Sequence, residues 1–266
     1  MCLIVFSHHA HPKYRLALAA NRDEFYERPA APLGFWEDHP QILGGRDLTG
    51  GGSWMGVNKR LSFAAITNYR DPASINPDAP TRGNLVKDFL LDGQSPREYM
   101  ARVEKIGPRH NGFNLIVGDR DEAWFYSNGA AARGKGAQKI PPGFYGLSNR
   151  ILDTPWPKVK KAKAALKPML TRDEVKTEAV FQALGDRSLP PAEDLPETGV
   201  GPEWEKMLSP VFISSPGYGT RGSSILLIEK NETARFLERR FIPQKDGSPR
   251  ETTREFRVRG ETNGPF

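Results

Sequence analysis

Two apolar runs near the start of the chain decide the fold: Cys2-Leu3-Ile4-Val5-Phe6, and Tyr14-Arg15-Leu16-Ala17-Leu18-Ala19-Ala20. The segment 8–13 between them is rich in histidine and contains a proline. The pattern therefore predicts two adjacent antiparallel strands joined by a polar turn. The second run leads into the polar cluster Asn21-Arg22-Asp23-Glu24. Adjacent strands of this kind can bring that cluster close to residue 2.

Residue 2 is the only cysteine in the 266 residues. Initiator methionine is normally removed before a small side chain, so we expect the mature chain to begin at Cys2 and to carry both a thiol and a free α-amine there. An α-amine titrates near ~7.7–8.0 and can accept a proton at physiological pH. The pair would form an N-terminal-nucleophile (Ntn) arrangement. The alternative is that Cys2 is a small apolar residue beginning a buried strand.

Composition narrows the classes of function. The chain carries 38 Lys and Arg against 32 Asp and Glu, a net charge of +6. Its densest basic stretch, 158–167, reads as the exposed face of a helix, with attraction to an anionic substrate or a membrane surface as the alternative. No groove-reading motif for nucleic acid occurs, and no apolar run approaches the ~20 residues that span a bilayer. A single cysteine fits a reducing compartment, so we expect a cytoplasmic protein.

The order of elements predicts sheets built from hairpins with helices between them. Residues 28–53 are rich in Pro and Gly and read as a long irregular loop of functional importance. Ser95-Pro96-Arg97-Glu98 predicts a helix start. Further elements are expected as hairpins near 54–67 and 114–126, helices at 157–170 and 172–184, a loop at 186–201, and strands at 211–215, 224–229, 233–241 and 251–259. Because strands and helices do not alternate singly, a layered α/β protein of one domain, 1–266, is favoured over a parallel fold.

Several motifs resemble the NRDE family, also called the transport and Golgi organisation protein 2 family. They are Met1-Cys2-Leu3-Ile4, Ala19-Ala20-Asn21-Arg22-Asp23-Glu24, Gly44-Gly45-Arg46-Asp47, Gly52-Ser53-Trp54-Met55-Gly56-Val57-Asn58, Thr67-Asn68-Tyr69-Arg70, Thr81-Arg82-Gly83, Asn111-Gly112-Phe113-Asn114-Leu115, Gly146-Leu147-Ser148-Asn149 and Tyr218-Gly219-Thr220-Arg221. The resemblance implies an α+β fold, the four-layer αββα sandwich of Ntn hydrolases. It also implies a distant similarity to the bile-salt hydrolase and penicillin V acylase group.

Chemistry assigns roles to the first three candidate residues. Cys2 would supply both nucleophile and base. Arg22 could favour the thiolate by Coulomb attraction, and Asp23 could fix the protonated α-amine. The alternative for Arg22 and Asp23 is an ion pair that stabilises a turn.

Analogy with the bile-salt hydrolase group supplies the remaining candidates. Asn68 and Asn149 close predicted strands and would stabilise the oxyanion or orient the substrate, although Asn is also an ordinary turn residue. Arg221 resembles a late active-site arginine of that group, with a surface loop arginine as the alternative. Asn21, Trp36 and Trp54 are the substrate-binding candidates, and the two tryptophans flank the glycine-rich loop, where ordinary packing is the alternative.

The sequence thus predicts a cysteine Ntn hydrolase or acyltransferase that acts on a small-molecule amide or thioester through an acyl-enzyme on Cys2. The alternative is a non-catalytic carrier or chaperone for a haem-like ligand, an acylated lipid or an acyl-CoA, because family members have been linked to haem trafficking and lipid metabolism. His8, His9 and His11 read as a polar turn, with no second ligand cluster nearby. No metal or cofactor is therefore expected.

Overall fold

The structure of the chain is a computed structural model that describes residues 2–172, 174–244 and 249–261. Over these residues the strands are β1 (Cys2–His8), β2 (Tyr14–Phe25), β3 (Ala30–Phe35), β4 (Ile42–Asp47), β5 (Met55–Asn58), β6 (Phe63–Asn68), β7 (Phe113–Gly118), β8 (Ala123–Ser127), β9 (Gln138–Lys139), β10 (Gly143–Leu147), β11 (Tyr218–Glu229), β12 (Thr233–Ile242) and β13 (Arg250–Arg259). The α-helices are α1 (Gly83–Asp92), α2 (Pro96–Ile106), α3 (Pro157–Leu170), α4 (Thr177–Leu184) and α5 (Pro202–Met207). The expected removal of Met1 lies outside the described residues.

The described strands form two antiparallel sheets. Sheet A has the order β10-β1-β2-β11-β12-β13, and sheet B runs from β3 to β9 in chain order. The predicted pairing of the first two apolar runs is confirmed, since β1 and β2 pair with Cys2 opposite Arg22 and His8 opposite Leu16. The other edge of β2 pairs with β11. Strand β2 therefore lies near the centre of sheet A, and its polar end is held between two neighbouring strands.

Side-chain alternation along sheet A creates two separate cores, because neighbouring residues of a strand point to opposite faces. Even-numbered residues of β1 and β2, such as Ile4 and Leu18, pack against sheet B. Odd-numbered residues, such as Leu3 and Ala19, pack against α3 and α4. Helices α1 and α2 cover the outer face of sheet B in a third core. The layers follow the order helix, sheet, sheet, helix, which confirms the expected αββα sandwich.

Local signals predicted some helices accurately. The Ser95 hydroxyl accepts a hydrogen bond from the Glu98 backbone, and the Glu98 carboxylate accepts one from the Ser95 backbone at 3.1 Å. This capping box begins α2 where the sequence places it. Within the described residues, no helix is long and apolar enough to cross a membrane.

Other expectations for the elements are wrong. The region 28–53 is not irregular, since it contains β3 and β4. Residues 211–215 do not form a strand and make only an isolated bridge at Ser214. Their apolar side chains are nonetheless buried, so burial and not pairing explains the apolar run. Helix α4 is shorter than the expected 172–184, and the short helix α5 after the loop 186–201 was not predicted.

Asn21 connects sheet A to the segments that cover it. Its side-chain amide donates hydrogen bonds to the Leu184 carbonyl at 2.9 Å and to the Val211 carbonyl at 2.8 Å. Its side-chain oxygen accepts one from the Ser223 hydroxyl at 2.6 Å. The side chain is fully buried on the helix face of the sheet. Asn21 is one of the residues around the Cys2 cavity, but the described contacts of its side chain are these structural hydrogen bonds. The expected substrate-binding role stays a prediction.

We predict that Asn21→Ala lowers the free energy of unfolding by about 3 kcal/mol, because it leaves two buried carbonyls and a hydroxyl without their partner. Urea denaturation followed by tryptophan fluorescence measures the change. Asn231→Ala, in an exposed turn, is the matched control and should change stability by less than about 0.5 kcal/mol. Equal stability of the two variants would contradict the connecting role of Asn21.

Candidate active site

Cys2 begins β1 at the end of sheet A and lies directly opposite Arg22 on β2. Its position in the alternation is that of Ile4, so its side chain faces the space between the sheets. A cavity of about 10 Å³ lies beside it and is lined by Trp54, Met55 and Ile66 among others. That volume is close to what one water molecule needs. Cys2 is therefore partly exposed at a narrow end of the space between the sheets.

Arg22 and Trp54 form the wall of this cavity. The Arg22 guanidinium lies 4.2 Å from the centre of the Trp54 ring, a favourable cation–π geometry. The ring in turn packs against Gly45, where an added Cβ would lie 2.2 Å from its nearest ring atom. The motif glycine at position 45 is thus required by the close approach of Trp54. Trp54 lines the cavity at Cys2, as the sequence suggested.

Asp23 lies on the opposite face of β2 from Arg22, toward the helices. Its carboxylate accepts a hydrogen bond from the Thr220 hydroxyl at 2.7 Å and is almost fully buried. Burial raises the pKa of Asp23, while Lys158, the Thr220 hydrogen bond and Arg22 oppose the shift. Arg22 and Asp23 therefore lie on opposite sides of sheet A, and both are next to the start of β1.

A bulge in β11 gives Thr220 its position. Thr220 pairs with Asp23 and Gly222 pairs with Arg22, so Arg221 is an extra residue without a partner on β2. The Arg221 guanidinium donates hydrogen bonds to the carbonyls of Phe25, Tyr26 and Arg28, at 2.8 to 3.0 Å. The described contacts of Arg221 hold the turn after β2. The expected active-site role is not supported by these contacts, although its side chain lines a small cavity next to Arg22.

Lys158 is buried, contrary to the exposure that its basic sequence context predicts. The basic stretch 158–167 was expected on an exposed helix face, but Lys158 is only 3% exposed. Its ammonium has no hydrogen-bond partner within the part of the chain that the structure describes. Burial lowers the pKa of Lys158 to about 8, and Asp23 opposes the shift. The second residue of α3 is thus a buried cation close to Asp23, whereas its neighbour Lys160 is exposed as expected.

The ionisation of Cys2 also differs from the expectation. Burial raises the pKa of the Cys2 thiol and Asp23 raises it further, whereas the N-terminal ammonium and Arg22 lower it. The net direction is opposite to the one expected from Arg22, and the thiolate preference of the chain that begins at Cys2 stays a prediction. A thiol of this kind stays protonated at neutral pH and needs a base to become a nucleophile.

Asn149 and Asn68 are joined to the start of β1 through hydrogen bonds. The Asn149 amide donates to the Asn68 backbone carbonyl at 2.9 Å. The Ser148 hydroxyl bonds to the Asn149 side-chain oxygen and to the Cys2 carbonyl, each at 3.1 Å. The sandwich thus brings the two predicted strand ends together beside Cys2. For Asn68, it is the backbone that makes the described contact.

The remaining sequence candidates lie elsewhere. Trp36 packs under the helices on the outer face of sheet B, and its indole donates to the Gly44 carbonyl at 3.2 Å. It does not line the Cys2 cavity, so the packing alternative holds for Trp36. His11 accepts hydrogen bonds from the backbone of Lys13 and Tyr14, which fits the predicted polar turn. No cluster of metal-ligating side chains occurs among the described residues.

Sequence reasoning missed a buried ion pair near Asp23. Arg70, just after β6, donates to the carboxylate of Glu205 on α5, and both side chains are buried. Thr198 donates its backbone N–H to the same carboxylate at 2.8 Å. Arg70 belongs to the quoted motif Thr67-Asn68-Tyr69-Arg70, which was the available signal. Its acidic partner lies in a short helix that the sequence did not predict.

Comparisons with known proteins agree with this architecture. The family profile for Transport and Golgi organisation 2 matches residues 1–243. The Transport and Golgi organization protein 2 homolog of Bos taurus is 35% identical over 97% of this chain and 99% of its own length. The Homo sapiens homolog is also 35% identical, over 96% and 99%.

A solved structure shares the fold at low sequence identity. The Caenorhabditis elegans N-acylethanolamine-hydrolyzing acid amidase ortholog is 11% identical and covers 85% of this chain and 92% of its own, with a TM-score of 0.50. That likeness shows an Ntn-hydrolase fold and nothing about activity. The match of profile and relatives over nearly the whole length shows that the chain belongs to the Transport and Golgi organisation 2 family.

Proposed function

We propose that this chain is a cysteine Ntn hydrolase or acyltransferase that forms an acyl-enzyme on Cys2. The observation that supports this most is the register of β1 and β2. It sets the only cysteine directly opposite Arg22 and one residue from Asp23. A thiol that must stay reduced also fits the expected cytoplasmic location.

The proposed reaction begins with Met1 absent and a free α-amine on Cys2. The amine nitrogen takes the proton of the thiol as the sulfur attacks the acyl carbon of an amide or thioester. A sulfur–carbon bond forms, and the carbonyl electron pair moves to oxygen. When that pair returns, the bond to the amine or thiol leaving group breaks, and the leaving group takes the proton from the ammonium. Water or another acceptor then releases the acyl group by the same steps in reverse.

The raised pKa of the thiol is consistent with this order of events. A protonated thiol is unreactive until a base removes its proton, and the α-amine is the base on the same residue. Arg22 would stabilise the negative sulfur as it develops, because its guanidinium lies on the same face of the sheet. The proposed oxyanion donors remain Asn149 and Asn68. A fixed amide such as that of Asn149 needs little reorganisation to serve.

Substrate entry requires a change at the cavity wall. A space of about 10 Å³ beside Cys2 cannot hold an acyl group. Arg22 and Trp54 also line a second small cavity, together with Arg221 and Arg240. Separation of Arg22 from Trp54 would join the two cavities and widen the space beside the thiol. We therefore propose that the stacked pair moves when a substrate binds.

The alternative function is a carrier for an acylated or haem-like ligand. The observation that favours it is a wider cavity of about 360 Å³, lined by Tyr26, Phe212 and Phe241 among others. Thr220, which bonds to Asp23, also borders that cavity. Its aromatic lining suits an apolar group. A carrier would keep its ligand affinity after Cys2→Ala, whereas the enzyme would lose its reaction.

We predict that the chain beginning at Cys2 gains the mass of one acyl group when incubated with a p-nitrophenyl ester or an acyl thioester. Cys2→Ala should gain none and should keep a similar melting temperature, since the side chain lost is small. Intact mass spectrometry measures both results. Because the chain has one cysteine, no second thiol can account for the adduct. An equal adduct on Cys2→Ala, or none on either protein, would sink the enzymatic proposal.

We further predict that iodoacetamide alkylation of Cys2 has a midpoint above the ~8.5 of a free cysteine, because burial raises its pKa. Arg22→Met keeps the volume beside Trp54 but removes the positive charge. It should move the midpoint upward by on the order of one pH unit. Arg109→Ala, an exposed arginine after α2, serves as the control and should leave the profile unchanged. Coincident profiles for all three proteins would show that Arg22 does not act on the sulfur.

A further inference from the structure

Lys158 is a buried cation whose position has no structural explanation in hydrogen bonding. It lies on the face of α3 that packs against sheet A, next to Val159 and in line with Ala162. Leaving an ammonium buried without a partner is costly. Among the described residues its nitrogen has none. A group kept at such a cost is a candidate for a role in the site it faces.

Four ionisable groups interact electrostatically with Lys158. They are Asp23 on β2, Arg70 after β6, Cys2 on β1 and Glu205 on α5. Arg70 and Glu205 are bound to each other, so their charges cancel. Asp23 and Lys158 are two further opposite charges of the cluster. With both ionised, the buried cluster is neutral before any charge on the Cys2 amine is counted.

We propose that Lys158 is a positioning residue for the Cys2 α-amine: its ammonium balances the Asp23 carboxylate, so that the amine beside them stays unprotonated and can accept the thiol proton. This inference rests on the proposed function, because the amine is the base of that reaction. A carboxylate alone would hold a proton on the amine as an ion pair, and a protonated amine is not a base. Lys158 removes that attraction and leaves Asp23 able to orient the amine.

Other groups facing Cys2 act in the same direction or are neutral. Arg22 and Arg82 lie near enough to Cys2 to interact with it electrostatically. Both are cations and also disfavour a further positive charge on the amine. Tyr218 lies near Cys2 and Asp23, and burial raises its pKa, so it stays neutral. Lys158 lies on the helix side of sheet A, as Asp23 does. Arg70 is bound to Glu205, whereas the Lys158 ammonium has no hydrogen-bond partner among the described residues, so Lys158 is better placed to offset the Asp23 carboxylate.

The single cysteine allows a direct test. Incorporation of ¹³C,¹⁵N-cysteine labels Cys2 alone, so its nitrogen and α-carbon resonances report the amine and its β-carbon reports the thiol. The sample is the full chain beginning at Cys2, freed from a cleavable leader, and it is titrated by NMR. In the wild type we expect the amine to titrate at or below the ordinary ~7.7–8.0. An amine titrating clearly above this range would overturn the proposal without any variant.

A variant of Lys158 tests its charge separately from the packing of its side chain. Lys158→Met should raise the pKa of the amine by on the order of one unit, because a nearby cation is lost. Lys160→Met, two residues along α3 and exposed, removes the same charge and should leave the amine unchanged. An unshifted amine in a folded Lys158→Met protein would overturn the proposal. If Lys158→Met does not fold, the wild-type titration decides alone.

The two proposals can fail separately. The NMR titration needs no substrate, so it gives a result even if no acyl donor reacts. A shifted amine in Lys158→Met without any acyl adduct on the wild type would support the role of Lys158 and reject the enzyme. An acyl adduct on the wild type together with an unshifted amine pKa in Lys158→Met would support the enzyme and reject the role of Lys158.

Discussion

The antiparallel pairing of β1 with β2 is the constraint on which the candidate site depends. Once Cys2 lies opposite Arg22, strand alternation assigns every neighbouring side chain to a face. Arg22 points between the sheets with the thiol, while Asn21 and Asp23 point toward the helices. A slip of one residue would exchange these faces, which would bury an arginine under α3 and leave Asp23 in the apolar space between the sheets.

An N-terminal nucleophile carries both the attacking group and the base on one residue. In this chain the groups near the sulfur and the groups near Asp23 lie on opposite sides of sheet A. The side of sheet A that faces sheet B holds the sulfur, Arg22 and the ring of Trp54. The side that faces the helices holds Asp23, Thr220 and Lys158, and two of these, Asp23 and Lys158, are the groups that we propose act on the nitrogen base. The backbone of Cys2 is where the two sides meet. Charge on one side can thus be changed with little steric effect on the other, because the sheet lies between them.

Elements set by contacts between residues close in sequence could be predicted. Features set by packing against distant segments could not. The capping box at Ser95 begins α2 because its partners are three residues apart. Val211, Phe212 and Ile213 are apolar but belong to no strand, because burial under other segments selects the same residue types as a strand does. Lys158 resembles its exposed neighbours in sequence, since no nearby residue indicates that α3 packs over Asp23.

Trp54 and Trp36 both flank the glycine-rich region, and only the sheet face they occupy distinguishes them. The motif residues gave the fold and the pairing of Cys2 with Arg22, whereas the raised pKa of the thiol follows from burial in three dimensions.

The bulge at Arg221 makes the position of Thr220 depend on the number of residues in β11. Before the bulge, Tyr218 and Thr220 share the helix face with Asp23, whereas after it Ser224 and Leu226 face sheet B although their numbers are also even. The extra residue therefore reverses the alternation at the one place where Thr220 must reach Asp23. Deletion of a single residue there would turn the Thr220 hydroxyl to the wrong face without altering any side chain. Homologous chains that keep this hydroxyl should accordingly tolerate many residue types at position 221 more readily than a gap.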